Sequence, residues 1–549
     1  MKAIALLLLV LAACGPKTTR VGTQPSWRGH STPTQVIPMT FAPTTDAAVR
    51  YNERLEAPPP SPLGDAVLQS VREVAVRLNL PAPAADARLF TACQELAQVV
   101  PEEGIIGYSV VEFALQRHGI IEPSPHLLVV WGNIDEPQLI VDQLKPRLPE
   151  ILGEGTMARV GIGAAKRNAD GTGAVVFAMQ ASGVATNPIP RTLPANGSFK
   201  LDAVVDSRYH EPELFITRED GSTERMGIEL GKSGGFKAMV LCGKHIGKQQ
   251  VEITASDQSG STVLANFPVW CASEPPQSIT IEGTQEDNAV VGAEEAERRL
   301  LALMNRDRQA AGLPALLWDE RVAQVSRAHS EDMRRTKIVA HISPTTGSAA
   351  DRVKVAGIKT AVVLENVARA YGVGEAHLGL MNSPGHRANI LAAAATHVGV
   401  GVILGDDISG RREMFLTQVF IRIPPKVDRA QAADLVRERI NAVRPVSVNV
   451  KLAGVAQDLA EGLAAGKTRE SLWPGAKKKL DGLNTSYARV GSVISAVADL
   501  ETVDGKQLLG DYKADDIGVG IAQGNHPDIG EGAVWVVVLM AEKLPAPKK

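Results

Sequence analysis

Apolar positions follow three different spacings along this chain. The first is an unbroken run, Ala3–Ala13, behind a single lysine, Lys2. It is too short for the ~30 Å of a bilayer core, which takes about 20 residues, and it has the form of a secretory signal. The second spacing is helical. Leu89, Phe90, Cys93, Leu96 and Val100 share one face, and so do Val322, Val325, His329 and Met333. Ala293–Ala311 predicts an amphipathic helix stopped by Gly312, and Asp319–Ile338 predicts a second with Asp319 as its N-cap. The third spacing is that of strands. Residues 198–206, 213–217, 234–241, 249–254 and 262–270 are short runs rich in β-branched and aromatic residues. Asp220-Gly221, Ser233-Gly234-Gly235 and Ser259-Gly260 punctuate them, as turns would. This reads as a β-sandwich over 190–275, immunoglobulin-like in its strand lengths and turn spacing.

Composition adds bounds more than content. At 549 residues the chain has room for three to four domains. Hydrophobic residues are 44% and charged residues 22%, which excludes wholesale disorder. A net charge of −3 gives no basic balance that would point to nucleic acid. Residues 15–63 carry nine prolines and no hydrophobic period, and they read as a disordered tether. Residues 276–292 read as a linker. Of the four cysteines, Cys93 reads as a buried core thiol. Cys242 and Cys271 each close an expected strand and are candidates to pair in an oxidising compartment.

Two resemblances change the picture. Leu11-Ala12-Ala13-Cys14 resembles the bacterial lipobox, which implies a signal peptide over 1–14 and an acylated Cys14. Gly15 in place of Asp implies sorting to the outer membrane. The second lies in Leu303-Met-Asn-Arg-Asp-Arg308, Gly312-Leu313, Ala328-His-Ser-Glu-Asp-Met333, His341-Ile-Ser-Pro344 and Glu365-Asn366. It continues in Met381-Asn-Ser-Pro-Gly-His-Arg-Ala-Asn-Ile-Leu391, His397-Val-Gly-Val-Gly401 and Thr417-Gln-Val-Phe420. Residues 293–424 thus resemble the CAP superfamily, the SCP domain, in its bacterial branch. The resemblance implies an α-β-α sandwich.

Comparing the chain with itself extends this to an α+β multidomain reading, with CAP-like repeats on either side. Val436-Arg-Glu-Arg-Ile-Asn441, Leu452–Leu459 and Asp516-Ile-Gly-Val-Gly-Ile521 echo CAP segments and define a worn copy over 429–545. Residues 64–185 show the outline more faintly, through Gly119-Ile-Ile and Ala158-Arg-Val-Gly-Ile-Gly163. The β-sandwich falls between the first and second of these units.

The resemblance implies a site of two histidines and two glutamates. Carried over by motif, these are His341, Glu365 and His386; the second acid falls at Asn382 or Ser383. Read as residues, Ser383-Pro-Gly-His386 is a helix start with Ser383 as cap, Pro384 in the first turn and His386 third. The positive end of that helix favours the neutral ring. His–Glu–His suffices for zinc or another divalent metal, or for acid–base work. It equally suffices to tie loop to helix by hydrogen bonds alone. His329 reads as a satisfied core histidine, and His377 and His397 as structural. In the third unit Lys506 stands where His386 does and no acid stands at Glu365. His118 and His126 of the first unit lie in no matching motif. The expected function is a lipid-anchored cell-envelope protein that binds another envelope protein, a glycan or a lipid. A metal-dependent hydrolase acting on envelope polymers and a lipid-binding protein are the alternatives.

Overall fold

A computed structural model describes residues 10–14, 17–21, 39–43, 45–53, 58–101, 106–123, 125–153, 157–281, 292–408, 411–482 and 486–544. The chain divides into two compact units. One is Met1–Ala349, Leu364–Ala393 and Gly399–Val419; the other is Ala350–Val363, Ala394–Val398 and Phe420–Lys549. All the candidate site residues lie in the first. Among the described residues, no helix is long and apolar enough to cross a membrane.

Among the described residues, one strand plan occurs three times. In the middle of the chain the order is Leu317–Trp318, His397–Ile408, Arg411–Ile421, Val363–Ala370. Nearer the N-terminus it is Ala84–Ala85, Met157–Lys166, Thr172–Ala181, His126–Asn133. Toward the C-terminus it is Ser447–Val448, Asp516–His526, Gly530–Lys543, Tyr487–Val497. Each short first strand runs into a helix through a capping side chain. Asp86, Asp319 and Asn449 accept backbone N–H groups of the first turns of Ala87–Val99, Glu320–Thr336 and Val450–Ala464.

Paired glycines explain how that helix lies flat on the sheet. A methyl group added to Gly399 or Gly401 would sit 2.1 Å from the backbone nitrogen of Ala323 or Arg327. At Gly161 and Gly163 it would meet Leu89 and Gln94, and at Gly518 and Gly520 Ala453 and Ala456. The Gly-x-Gly seen in sequence is therefore a close approach of helix backbone to strand. Helices cover both faces of the first and third sheets, giving two separate cores each. Cys93 lies in one of them, where burial pushes its thiol pKa up.

Between the first two sheets in sequence lie two layers of strands. One runs Thr223–Met226, His210–Thr217, Gly247–Asp257, Gly260–Cys271, with Thr192–Leu193 also beside its last strand and Val10–Cys14 continuing it into the sheet of Val363–Ala370; the other is Glu229–Leu230, Gly235–Leu241, Ser198–Val205, Val184–Thr186. Leu201, Phe236 and Val240 of one meet Ile216, Val251, Ile253 and Phe267 of the other in a single core. Cys242 and Cys271 are joined by a disulfide with Cα atoms 5.6 Å apart.

Within the spans expected to be tether and linker, some of the described residues form strands. Met39–Phe41 pairs antiparallel with Ile279–Ile281, and Arg50–Tyr51 with Ile189–Pro190. Phe41 and Tyr51 are core residues, the latter 5.0 Å by ring centroid from Phe267. The Pro- and Thr-rich composition hid two aromatic anchors, and ordering follows their burial. Of the expected signal, residues 1–9 lie outside the described residues. Val10–Cys14 runs parallel to Val363–Ala370, with Val10 opposite Glu365 and Cys14 opposite Arg369.

Candidate functional site

His341, Glu365 and His386 come from three different segments. His341 follows the helix Glu320–Thr336, Glu365 lies near the start of the strand Val363–Ala370, and His386 is the third residue of the helix Pro384–Ile390. His341 Nδ1 lies 2.9 Å from Glu365 Oε1, within hydrogen-bond distance, and the two side chains are 1% and 0% exposed. An ionised or neutral carboxyl in such a place keeps its partner by necessity, since burial without one is costly.

Around this pair runs an amide network built from the other motif residues. Asn366 donates to the carbonyl of His386 at 3.2 Å and to Gln418 Oε1 at 3.0 Å. Asn389 donates to the Glu365 carbonyl at 3.1 Å and to Asn366 Oδ1 at 2.9 Å. Helix Pro384–Ile390 is thereby fixed to the strand Val363–Ala370, which Gln418 ties in turn to Arg411–Ile421. Ser326 and Ser330 donate to the carbonyls of Gly399 and Gly401, each at 2.8 Å. Sequence reading placed Asn366, Asn389, Gln418 and Ser330 within motifs without finding these roles, and Ser326 lay outside the motifs.

Ser383 does not cap its helix, contrary to expectation. Its hydroxyl donates to Glu252 Oε2 at 2.5 Å and lies 2.6 Å from His386 Nδ1. The N–H of Gly385 donates to Glu252 Oε1 at 2.9 Å instead. Glu252 sits on the strand Gly247–Asp257 of the two-layer sandwich, on the face turned away from its core. It is 0% exposed, and burial raises its pKa to about 7 despite the hydrogen bonds from Ser383 and Gly385, which lower it. Nearby, Asn266 donates to the Asn382 carbonyl at 3.2 Å and Arg387 to the Gly221 carbonyl at 3.1 Å. The hairpin turn adds a further tie, because the backbone N–H groups of His341 and Ile342 both donate to the Ser259 carbonyl.

Known proteins share this arrangement of motifs. Residues 301–420 match the family model for CAP, the cysteine-rich secretory protein family. This segment belongs to the CAP family. YkwD of Bacillus subtilis strain 168 is 34% identical over 172 residues, which are 30% of this chain and 66% of YkwD. The membrane protein YlbC of the same organism is 39% identical over 108 residues, 20% of this chain and 31% of YlbC. The chain therefore spans just under two thirds of the one and under a third of the other. Among solved structures, an extracellular SCP-domain protein from Bacillus anthracis is 22% identical, covering 36% of this chain and 67% of its own, with a TM-score of 0.21. An outer surface protein from Borrelia burgdorferi is 15% identical, covering 24% and 97%, with a TM-score of 0.22.

A divalent cation in the CAP domain would need three donors turned to one point. Among the described residues no three His, Cys, Asp or Glu side chains are placed to hold an ion. His341 Nδ1 and Glu365 Oε1 are engaged with each other, and His386 Nδ1 with Ser383.

The other CAP histidines act locally. His329 Nε2 meets the Ala340 carbonyl at 2.8 Å. His377 Nε2 lies 2.7 Å from Asp307 Oδ2 and ties two helices. His397 Nδ1 lies 2.9 Å from the Thr396 hydroxyl. Glu252 is the residue that sequence reading missed. Its strand alternates, with Val251, Ile253 and Ala255 in the core, so a charged residue at 252 reads as an ordinary solvated face. Nothing in its own segment signals that a CAP helix covers it.

Proposed function

We propose that the chain is a lipid-anchored envelope protein in which the CAP domain serves as a binding scaffold. In this reading the polar cluster holds domains together and turns nothing over. One observation carries it: Glu252, from the sandwich, occupies both Ser383 and Gly385 at the head of the CAP helix, with no exposure to solvent. A cluster closed over by a neighbouring domain suits cohesion better than access for a polymer.

Further support comes from the shared strand order, capping residues and glycine pairs of the three sheets, which suit one ancestral unit used three times. In the third unit Lys506 lies in the short helix Gly505–Leu509, without a histidine partner for an acid. The outer units thus read as docking modules. The facing layers with their disulfide suit an immunoglobulin-like sandwich. Lipidation at Cys14 would remove residues 1–13, and with them the strand beside Val363–Ala370. The surfaces then meet an envelope protein, a glycan or a lipid at the outer membrane.

The test uses the purified chain and its His341→Ala/His386→Ala variant. The scaffold reading expects sub-stoichiometric zinc in both, lower thermal stability in the variant, and equal inactivity on envelope polymers. Stoichiometric zinc, or a polymer-cleaving activity that the variant loses, would replace it with the hydrolase reading. Metabolic labelling with an alkyne fatty acid, lost in Cys14→Ala, tests the anchor.

A further inference from the structure

We infer that Glu252 of the sandwich is a positioning residue for His386 of the CAP domain, setting its ring tautomer through Ser383. This holds whether or not the scaffold reading does, because it rests on three side chains and one backbone amide.

A count of hydrogens fixes the direction of each bond. A serine hydroxyl carries one. Ser383 Oγ stands 2.5 Å from Glu252 Oε2 and 2.6 Å from His386 Nδ1, so it bridges the two. Gly385 N donates to the other oxygen of Glu252, at 2.9 Å, and fixes which way the carboxyl group is turned. An ionised carboxylate can only accept. Ser383 then donates to Glu252, its oxygen accepts from the ring, and His386 carries its hydrogen on Nδ1. A protonated carboxyl reverses the chain. Glu252 donates to Ser383, Ser383 donates to Nδ1, and the ring hydrogen moves to Nε2. A change at the sandwich therefore decides whether His386 Nε2 accepts or donates hydrogen bonds. That is the property by which a ring nitrogen selects its partners.

All three groups are buried, His386 and Glu252 fully and Ser383 to 3% exposure. Water therefore does not offer the serine an alternative partner, and the bridge is obligatory for as long as the two domains stay docked. The backbone contact of Ser259 with His341 and Ile342 and the Asn266 bond to Asn382 hold that docking from either side.

The test is the ring tautomer of His386, read from ¹⁵N chemical shifts in histidine-labelled full chain and assigned with His386→Gln. At about pH 9, roughly two units above the carboxyl's pKa, Glu252 is ionised. The wild-type chain should then show the hydrogen on Nδ1. In Glu252→Gln the amide oxygen must face Gly385 N–H, leaving the amide NH₂ to donate to Ser383. The two ring-nitrogen shifts should interchange. Ser383→Ala, which removes one oxygen, should leave a mixture of tautomers; it is informative even if the Gln variant does not fold. The inference is overturned if wild type shows Nε2–H at that pH. It is equally overturned if wild type and Glu252→Gln agree, or if Ser383→Ala keeps a pure Nδ1–H ring.

Discussion

The Glu252 carboxylate accepts the backbone N–H of Gly385 at 2.9 Å, so a strand of the sandwich caps a helix of the CAP domain. Cutting Glu252 to Ala removes that acceptor and the one used by Ser383, leaving two buried donors without a partner across the junction. Losses of this kind cost ~2–5 kcal/mol. A chain of several domains need not unfold in one step, so a local readout is required. The Gly385 amide should exchange with deuterium at least tenfold faster in Glu252→Ala, while amides of the third unit keep their rates. Equal protection of Gly385 in both chains would show that the capping bond carries no stability.

The same carboxyl makes the junction pH-dependent. Its pKa is raised from 4.5 to about 7, burial being the largest cause. The folded state therefore holds this proton more tightly than the unfolded one. The cost of burying the charge is absent below pH 4.5, grows between 4.5 and 7, and is complete above. It amounts to on the order of 3 kcal/mol. The strand partners of Glu252 are Phe215 and Asn266, and neither titrates. Facing it from the CAP domain are Ser383, Gly385 and, beyond the serine, His386. Tyr108 also feels its charge but stays neutral, burial holding the phenol well above its usual value. Gly385 protection in wild type, compared with Glu252→Gln, should fall as pH rises through this window. A pH-independent difference between the two chains would contradict the assignment.

His341 and Glu365 form the second buried contact of the cluster, 2.9 Å apart. His341→Ala takes the imidazole away from a fully buried carboxyl, and breaking such a pair costs about 3–5 kcal/mol. Glu365→Gln keeps a hydrogen-bonding group for Nδ1 and should cost less. A double-mutant cycle read from deuterium exchange of amides in the strand Val363–Ala370 should return a coupling of ~1–3 kcal/mol between the two positions. Additive effects would mean that each side chain is held by other neighbours and that the pair itself contributes nothing.

Most of the fold could be read locally, and most of the junction could not. The helices at 293–310 and 320–336, the Asp319 cap and the sandwich strands follow from spacing and caps that lie within each segment. Gly399 and Gly401 were visible as a motif, although their reason, the backbone of Ala323 and Arg327, comes from another segment. Phe41 and Tyr51 were lost among prolines because two aromatics set no period. Ser383 was read as a cap because the sequence window around it contains no better acceptor. The acceptor is 131 residues away, at Glu252. A residue whose partner lies in another domain leaves no periodic trace in its own strand, and only the packed chain brings it into view.

Two glycines of the CAP domain should respond to alanine in opposite directions. At Gly401 an added methyl would lie 2.1 Å from Arg327 N, inside the helix backbone packed on the strand. Backbone cannot swing aside as a flexible side chain can. Gly401→Ala should therefore push the helix Glu320–Thr336 off the sheet and break the Ser330 bond to the Gly401 carbonyl. A cost of ~1–3 kcal/mol or more is expected. Gly379 lies within the helix Val373–Asn382 and has nothing within 4 Å of an added methyl. There alanine removes backbone freedom from the unfolded chain and meets no obstacle, for a gain of about 0.5–1 kcal/mol. Calorimetry on the two single variants, following the transition of the CAP domain among those of the other domains, reads both effects. The melting temperature should fall for Gly401→Ala and rise slightly for Gly379→Ala. A neutral Gly401→Ala would mean that helix and strand can part without loss, and that the close approach does not explain the Gly-x-Gly pattern.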